Sequence, residues 1–415
     1  MAVTTDSPST RARAAARTLA TLGRGAKDAA LEQIALAIER DSAAIVEANA
    51  EDLAAARASG QSSALLDRLT LDSERVLALC DAVRAVAALD DPVGQVVTGW
   101  RLPNGLDVQK VRVPLGVLLV VYEARPNVTV DVASLCLKSG NACLLRGSTS
   151  ARATNAALLR CVRDGLKAAG LPEDAVVPLE ASREELAAIV ADPSACAVVI
   201  PRGGEALKKF LLEHARVPVL VAAGGNCHVY LHADADPAKA LPIVINAKTQ
   251  RPGVCNACET LLVHRDALPL LGPIGAELAE HGVELRADAE AAEALGAPSL
   301  AADEDDWATE FLDLVLAVRT VGSVEEAVEH IERYSTGHSE AIVTEGIAAA
   351  DAFVQGISSA CVYVNASTRF TDGGEFGFGA EIGNSTARLH ARGPVGLADI
   401  TTTKYVVRGA GQIRA

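Results

Sequence analysis

The chain has 415 residues, 50% of them hydrophobic, and its 53 Asp and Glu against 38 Lys and Arg give a net charge of -15. That length suggests two or three domains with ample material for packed cores, and so acidic a balance excludes a polyanion partner, because nucleic-acid binders need a basic face to displace counterions. The nine Cys, an odd number running from Cys80 to Cys361, fit a reducing compartment with free thiols rather than a disulfide framework.

In chain order, the opening MAVTTDSPSTRARAAARTLATLG lacks the apolar core of a secretory signal; its Arg- and Ser/Thr-rich start leaves a transit peptide as the alternative. The longest apolar runs, 117–122 and 217–223, are far shorter than a membrane span, so a cytoplasmic protein is expected. Residues 9–88 are rich in Ala, Leu, Glu and Arg at helical spacing, with Thr10 as a candidate cap and Gly60, Thr70 and Asp72 as breaks. This predicts a helical layer. Asn104-Gly105 between alternating strand formers then marks a hairpin over 96–114, either an ordinary surface ribbon or an arm that pairs with a second subunit.

From Gly116 strands are predicted at 117–122, 142–145, 176–179, 197–200 and 217–223, with helices at 128–139 and 151–169. Continuous apolar strands separated by helices indicate an α/β architecture, a parallel sheet covered on both faces, whose ligands sit at the carboxyl ends of the strands. Two such ends, Arg146-Gly147-Ser148-Thr149 and Arg202-Gly203-Gly204, join an Arg to a Gly turn and a following helix, whose N-terminal amides favour an anion. Neither is a G-x-G-x-x-G fingerprint, and a solvated loop is the alternative for each. The run at 217–223 ends in Gly224-Gly225, and a helix is predicted over 237–248 behind an acidic lead-in. A second alternation of helices and strands follows through 268–282, 311–321, 324–334, 341–345 and 362–367, while 287–306 reads as solvated surface. Residues 370–384 carry five Gly in a segment of the kind that shapes a site, and 401–409 is a β-rich tail able to add to a sheet edge in this or another subunit.

The stretch with the most chemistry is QRPGVCNACETLLV, 250–263. A cysteine on a short Gly-containing loop between two regular elements is where a nucleophilic thiolate can stand exposed, with backbone N–H groups nearby to hold an oxyanion. Two other readings compete for Cys255: half of a zinc or redox pair with Cys258, or a small buried hydrophobe. No second C-x-x-C or closely spaced His pair follows, and no metal-ligand set is visible.

Four segments carry a resemblance: PLGVLLVVYEARPNVTVDVASLCLKSGNACLLRGS, RPGVCNACETLLVH, VEEAVEHIERYSTGHSEAIVTE and VYVNASTRFTDGGEFGFGAEIG. In this order they make the chain similar, over nearly its whole length, to the aldehyde dehydrogenase superfamily and within it to the γ-glutamyl phosphate reductase family, to which His338-Ser339-Glu340 is particular. The resemblance implies a Rossmann-like NADP-binding domain over 1–230, including the hairpin arm, a catalytic α/β domain over 231–385, and a segment 386–415 that completes the cofactor domain and a β-ribbon oligomerisation element. It implies NADPH-dependent reduction of L-glutamyl 5-phosphate in proline biosynthesis, by a homo-oligomer, dimer or tetramer, with transfer from glutamate kinase as a further expectation.

Residue by residue, Cys255 falls on the superfamily's nucleophile, with Asn256 beside it in the oxyanion loop. Arg146 falls where many relatives have a Lys on the adenosine ribose, and Thr149 where NAD-preferring relatives often carry a Glu, so the resemblance implies NADP(H). Gly147, Ser148, Arg202, Gly203, Gly204, Gly225 and Glu310 complete the expected cofactor contacts; Arg125, Asn127, Arg251, Lys248, His338, Gly377 and Gly379 are the substrate candidates. There are two departures. Ala222-Ala223 stand where hydrolysing members have the Glu that activates water, which disfavours hydrolysis, and spacing puts Glu123 closer than Asn127 to the superfamily's oxyanion-binding Asn. A hydrolysing aldehyde dehydrogenase and a catalytically idle nucleotide-binding scaffold are the rival readings.

Overall fold

The computed structural model describes residues 7–221 and 224–414, and for residues 63 and 64 the backbone alone. The chain forms two units: one runs through Val221 and takes in Gly377–Gly383 and the stretch from Val395; the other runs on to Phe376 and adds Asn384–Pro394.

The first unit begins with α1 (Pro8–Leu19), whose cap is Ser7 and not Thr10: Ser7 Oγ accepts from the Thr10 N–H at 3.3 Å. Pro8 at the first helical position explains the earlier start, since its missing N–H would be unpaired there in any case. Helices α2 (Arg24–Arg40), α3 (Ser42–Ala58), α4 (Ser63–Leu69) and α5 (Ser73–Ala88) follow, the last capped by Asp72. After the ribbon strands β1 (Val96–Arg101) and β2 (Asp107–Pro114) come β3 (Val117–Tyr122), α6 (Asn127–Lys138), β4 (Ala142–Arg146), α7 (Arg152–Ala168), β5 (Val176–Pro178), α8 (Arg183–Val190), β6 (Val198–Arg202) and α9 (Glu205–His214). β3 to β6 form a parallel sheet in the order β5-β4-β3-β6. All six residues of β3 are buried, as expected of a strand covered on both faces.

The helical layer is tied to this sheet by packing and by buried charge. Gly165 of α7 lies against the Ile34 backbone of α2, where a Cβ would come within 2.6 Å. The wholly buried Lys138 ammonium at the end of α6 reaches Asp28 of α2 and donates to the Ala87 carbonyl of α5 at 2.6 Å.

The strand expected at 217–223 is not formed among the described residues of that run; only Val219 makes a bridge, to Val199. Pro218 has no N–H to give a ladder, and residues 222 and 223 lie outside the described residues.

The second unit comprises β7 (Cys227–Leu231), α10 (Pro237–Thr249), β8 (Cys258–His264), α11 (Leu271–Glu280), β9 (Glu284–Ala287), α12 (Ala289–Leu295), β10 (Leu300–Ala301), α13 (Glu304–Ala308), β11 (Val315–Val321), α14 (Val324–Tyr334), β12 (Ser339–Val343), α15 (Ile347–Gly356) and β13 (Cys361–Val364). Its seven strands are parallel, in the order β10-β9-β11-β8-β7-β12-β13. The stretch expected to be solvated, 287–306, instead supplies α12, an edge strand and most of α13. Capping by Asp288 and Asp303 accounts for its acidic look, while Ala291, Leu295 and Trp307 are buried.

The short strands β14 (Asn384–Ser385) and β15 (Gly393–Pro394) precede β16 (Thr401–Arg408), which pairs antiparallel with β2 of its own chain to make the three-stranded ribbon β1-β2-β16. The hairpin turn is where it was expected, with Gly105 at φ 89°.

One ion pair governs the second unit. Lys248, in the last turn of α10, donates to Glu259 of β8 at 2.6 Å, and both side chains are wholly buried. Burial pushes the Glu259 carboxyl up to about 7 against the opposing pull of Lys248. Lys248→Met leaves that carboxylate alone, and should cost about 3–5 kcal/mol in a urea titration at pH 7. The variant's deficit should shrink on acidification. A carboxyl whose folded pKa lies above its unfolded value binds more protons when folded, so stability rises as pH falls through that interval.

Candidate active site

The loop 250–257 joins the end of α10 to the start of β8, with Ala257 N–H turned back onto the Val254 carbonyl at 3.0 Å. Cys255 sits in that turn, half-exposed, whereas the other eight cysteines are buried. Burial pushes the Cys258 thiol up to about 12 and the Cys227 thiol well above its ordinary value. Cys258 is the first residue of β8 and its Sγ faces the Thr260 carbonyl, so it is not set up as a redox partner of Cys255. Among the described residues no group of three or more His, Cys, Asp or Glu could hold a metal ion.

Close backbone contacts shape the loop from below. A Cβ on Gly225 would coincide with the Cys255 carbonyl oxygen, and one on Gly224 would strike the Glu310 carboxylate. At position 225 only glycine fits, because the obstacle is backbone, whereas at 224 the obstacle is the movable end of the Glu310 side chain. Glu310 Oε1 accepts the Gly225 N–H at 2.6 Å, and the Cys227 thiol donates to the Cys255 carbonyl at 3.2 Å. Glu259, besides holding Lys248, accepts the Leu312 N–H at 3.1 Å, which places Glu310 beside the glycines. Lys248, a candidate substrate ligand in the sequence, is therefore committed to the interior.

A second loop closes the other side. Asn256 Nδ2 donates to the carbonyls of Arg369 and Thr371 at 3.3 and 3.0 Å, and Thr368 Oγ1 donates to the Asn256 carbonyl at 2.7 Å. The Asn256 side chain, 5% exposed, is thus a clamp and has no amide hydrogen to spare for an oxyanion. Thr371 shares its hydroxyl with Ser339 and Tyr363, both at 2.6 Å, and His338, 1% exposed, meets Ser339 at 2.8 Å. Glu340 is interior: it takes the His228 N–H and ring nitrogen and the Ser335 and Ser359 hydroxyls.

Gly225, Cys255, Asn256, Glu310 and His338 therefore come together, and they do so at the amino edge of their sheet, ahead of β7, β8 and β12. Arg369 joins them and has no counterpart among the sequence candidates. Its Nε–H donates to Gln250 Oε1 at 2.8 Å. Burial and then Arg251 pull its pKa below the ordinary value, and Cys255, Asp372 and Cys227 oppose that shift. The signal available was a single Arg inside VYVNASTRF, directly before the Gly-rich segment.

Arg251, next to Gln250 in the nucleophile loop, is the remaining candidate of the second unit, and the others belong to the first. Arg146 ends β4 with its Nε–H on the Ala181 carbonyl at 3.3 Å. Ser148 shares a 2.6 Å hydrogen bond with Ser150 and accepts the Ala124 N–H, and Thr149 opens the turn into α7. A Cβ on Gly147 would crowd the Tyr122 ring and displace the Asn155 side chain. At the neighbouring strand end, the Gly204 N–H at the start of α9 already donates to Glu123 Oε2 at 3.0 Å, and Glu123 also packs on Gly203. Glu123 thus offers an anion, not an amide donor. Arg202 ends β6 and packs on Gly383; Asn127 bonds Asp131 at 2.9 Å; Arg125 precedes α6. Gly377 and Gly379 have positive φ, and Gly379 rests on Leu89.

The model of the aldehyde dehydrogenase family matches residues 6–272. The chain is 53% identical to the gamma-glutamyl phosphate reductase of Moorella thermoacetica and to that of Thermobifida fusca, over 97% of this chain and of each relative. Its structure is similar to the crystal structure of gamma-glutamyl phosphate reductase from Thermotoga maritima, with TM-score 0.95, 45% identity, and coverage of 98% of this chain and 99% of the other.

Gly225→Ala must displace the Cys255 carbonyl and should cost about 1–3 kcal/mol in chemical denaturation. Gly25→Ala, in α2 with nothing within 4 Å of the added methyl, serves as the control and should be neutral or stabilising by up to about 1 kcal/mol.

Proposed function

Because the chain belongs to the aldehyde dehydrogenase family and, within it, to the γ-glutamyl phosphate reductases, we propose that it reduces L-glutamyl 5-phosphate to L-glutamate 5-semialdehyde with NADPH, releasing phosphate, in proline biosynthesis. The observation that carries the reading is the contrast among thiols: eight buried, and Cys255 alone half-exposed on a loop braced on two sides.

The Cys255 thiolate attacks the acyl carbon; a C–S bond forms, the bond to the phosphate oxygen breaks, and phosphate leaves with the electron pair. The Ala257 N–H is spent on the Val254 carbonyl, which leaves the Asn256 N–H as an oxyanion donor, its position held by the Asn256 side chain from the opposite loop. When bound, NADPH supplies the hydride that reduces the thioester. Collapse of the resulting thiohemiacetal releases the semialdehyde and returns Cys255 as thiolate.

Arg146, Ser148 and Thr149 fit a 2′-phosphate better than a 2′-hydroxyl, since this run of loop carries a guanidinium and two hydroxyls and no carboxylate. Glu310 accepts the Gly225 N–H at Oε1 and keeps Oε2 as an acceptor for a ribose hydroxyl. Ala222 and Ala223, outside the described residues, keep by sequence the absence of a water-activating Glu, which favours phosphate over water as the acyl acceptor.

The reverse reaction tests this: glutamate semialdehyde and NADP+ should yield NADPH only when phosphate is present, and Cys255→Ser should lower the rate at least about a thousandfold. A phosphate-independent rate would sink the reductase in favour of a hydrolysing enzyme. In the same assay Arg146→Glu should reduce the preference for NADP+ over NAD+ by roughly tenfold or more, the worth of a charge-assisted hydrogen bond; an unchanged ratio would place the discrimination elsewhere.

A further inference from the structure

We propose that Arg369 is the residue that makes this site specific for phosphate, its guanidinium holding the phosphoryl group as it leaves, or enters, beside the Cys255 sulfur. The inference rests on the acyl-phosphate chemistry proposed above and assigns to it a side chain that the sequence candidates omit.

Three observations converge on Arg369. First, its backbone is locked to the nucleophile loop without help from its own side chain: the Arg369 carbonyl accepts from Asn256 Nδ2, the next residue after Cys255, and Thr368 Oγ1 bonds the Asn256 carbonyl. The Arg369 backbone is therefore held against the loop that carries the sulfur. Second, only the Nε–H is engaged, on Gln250 Oε1; the two terminal amino groups make no hydrogen bond among the described residues. Anchoring at Nε presents those terminal groups as a two-pronged donor, the geometry that suits a phosphate oxygen pair. Third, the Arg369 guanidinium is half-buried and forms no ion pair with a carboxylate among the described residues, while Arg251, Cys255, Asp372 and Cys227 are among the groups that act on its charge. A half-buried cation without an ion pair is one that a dianion would relieve.

The substrate has a second anion, its α-carboxylate, and covalent geometry separates the two. The departing phosphate is bonded to the same carbon that the sulfur attacks, whereas the α-carboxylate lies four carbons further along the chain. A guanidinium within electrostatic reach of the thiol meets the phosphate first. The step needs no acid: phosphate leaves as an anion, and a guanidinium stabilises that charge without giving up a proton.

The test varies phosphate in the reverse reaction with the wild type, Arg369→Met and Arg369→Lys. Arg369→Met should raise KM for phosphate by roughly 10- to 100-fold, as expected for a lost charge-assisted hydrogen bond, while KM for the semialdehyde changes less than about 3-fold. Arg369→Lys, which keeps the charge but not the fork, should recover part of the loss. A readout independent of turnover is protection: inorganic phosphate should slow alkylation of Cys255 by iodoacetamide in the wild type and the Lys variant, and not in the Met variant. Thermal melting establishes that each variant is folded, and if Met is not, the comparison of Lys with wild type stands alone. An unchanged KM for phosphate together with retained protection overturns the proposal. A rise confined to the semialdehyde KM overturns it as well, by making Arg369 a carboxylate ligand. A wild type that forms no NADPH with phosphate refutes the reductase reading itself, and protection by phosphate then still decides whether Arg369 binds it.

Discussion

The buried pair of Lys248 and Glu259 is the constraint on which the nucleophile loop depends. Two charges with no access to water are stable only together, so the end of α10 and the start of β8 cannot drift apart without exposing one of them. The loop that carries Cys255 spans this gap and inherits its precision. The same carboxylate also receives the Leu312 N–H, in a stretch where Leu312 itself adopts φ 56°, rare for a non-glycine residue. One buried acid thereby registers three segments, and through Glu310 it reaches the glycines under the sulfur.

With the loop so placed, chemistry is distributed by burial. Cys227 and Cys258 begin adjacent parallel strands and are sealed, which keeps both as thiols; Cys255, three residues before Cys258, is held in the turn where solvent reaches it. The polar interior behind it is cross-linked by hydrogen bonds, from Glu340 with four donors to the linked hydroxyls of Ser339, Thr371 and Tyr363, while Asn226 Oδ1, His228 Nε2 and Asn256 Oδ1 accept or donate none among the described residues. A rigid, well-bonded wall on one side and an arginine-bearing loop on the other is an arrangement in which the reacting sulfur moves little.

Local signals in the sequence were most legible where one residue type has one use. Asn104-Gly105 marked its turn, Asp72 a break between helices, and the Pro-Gly-x-Cys run its loop. Apolar content alone misled at 217–223, where Pro218 outweighs the flanking valines, and acidity misled at 287–306, where aspartates cap helices whose other faces are buried. Arg369 was hidden for a different reason. Its significance depends on Asn256, 113 residues earlier, donating to its carbonyl, and no spacing rule links positions so far apart. The placement of the cysteine at the amino edge of its sheet was equally out of reach, because strand order in a seven-stranded sheet is decided by long-range pairing.

The ribbon brings residues 107–114 and 401–408 side by side, and Asn141 in the first unit donates to the Ile400 carbonyl. Because the chain is made from its amino end, β2 emerges from the ribosome with one edge bare and stays so until β16 has been added. The second unit has all of its seven-stranded sheet by Val364 and can fold while the first still waits for its closing strand. During synthesis, then, the sheet that carries the reactive sulfur is complete first, and the unpaired edge of β2 is open to mispairing with other nascent chains.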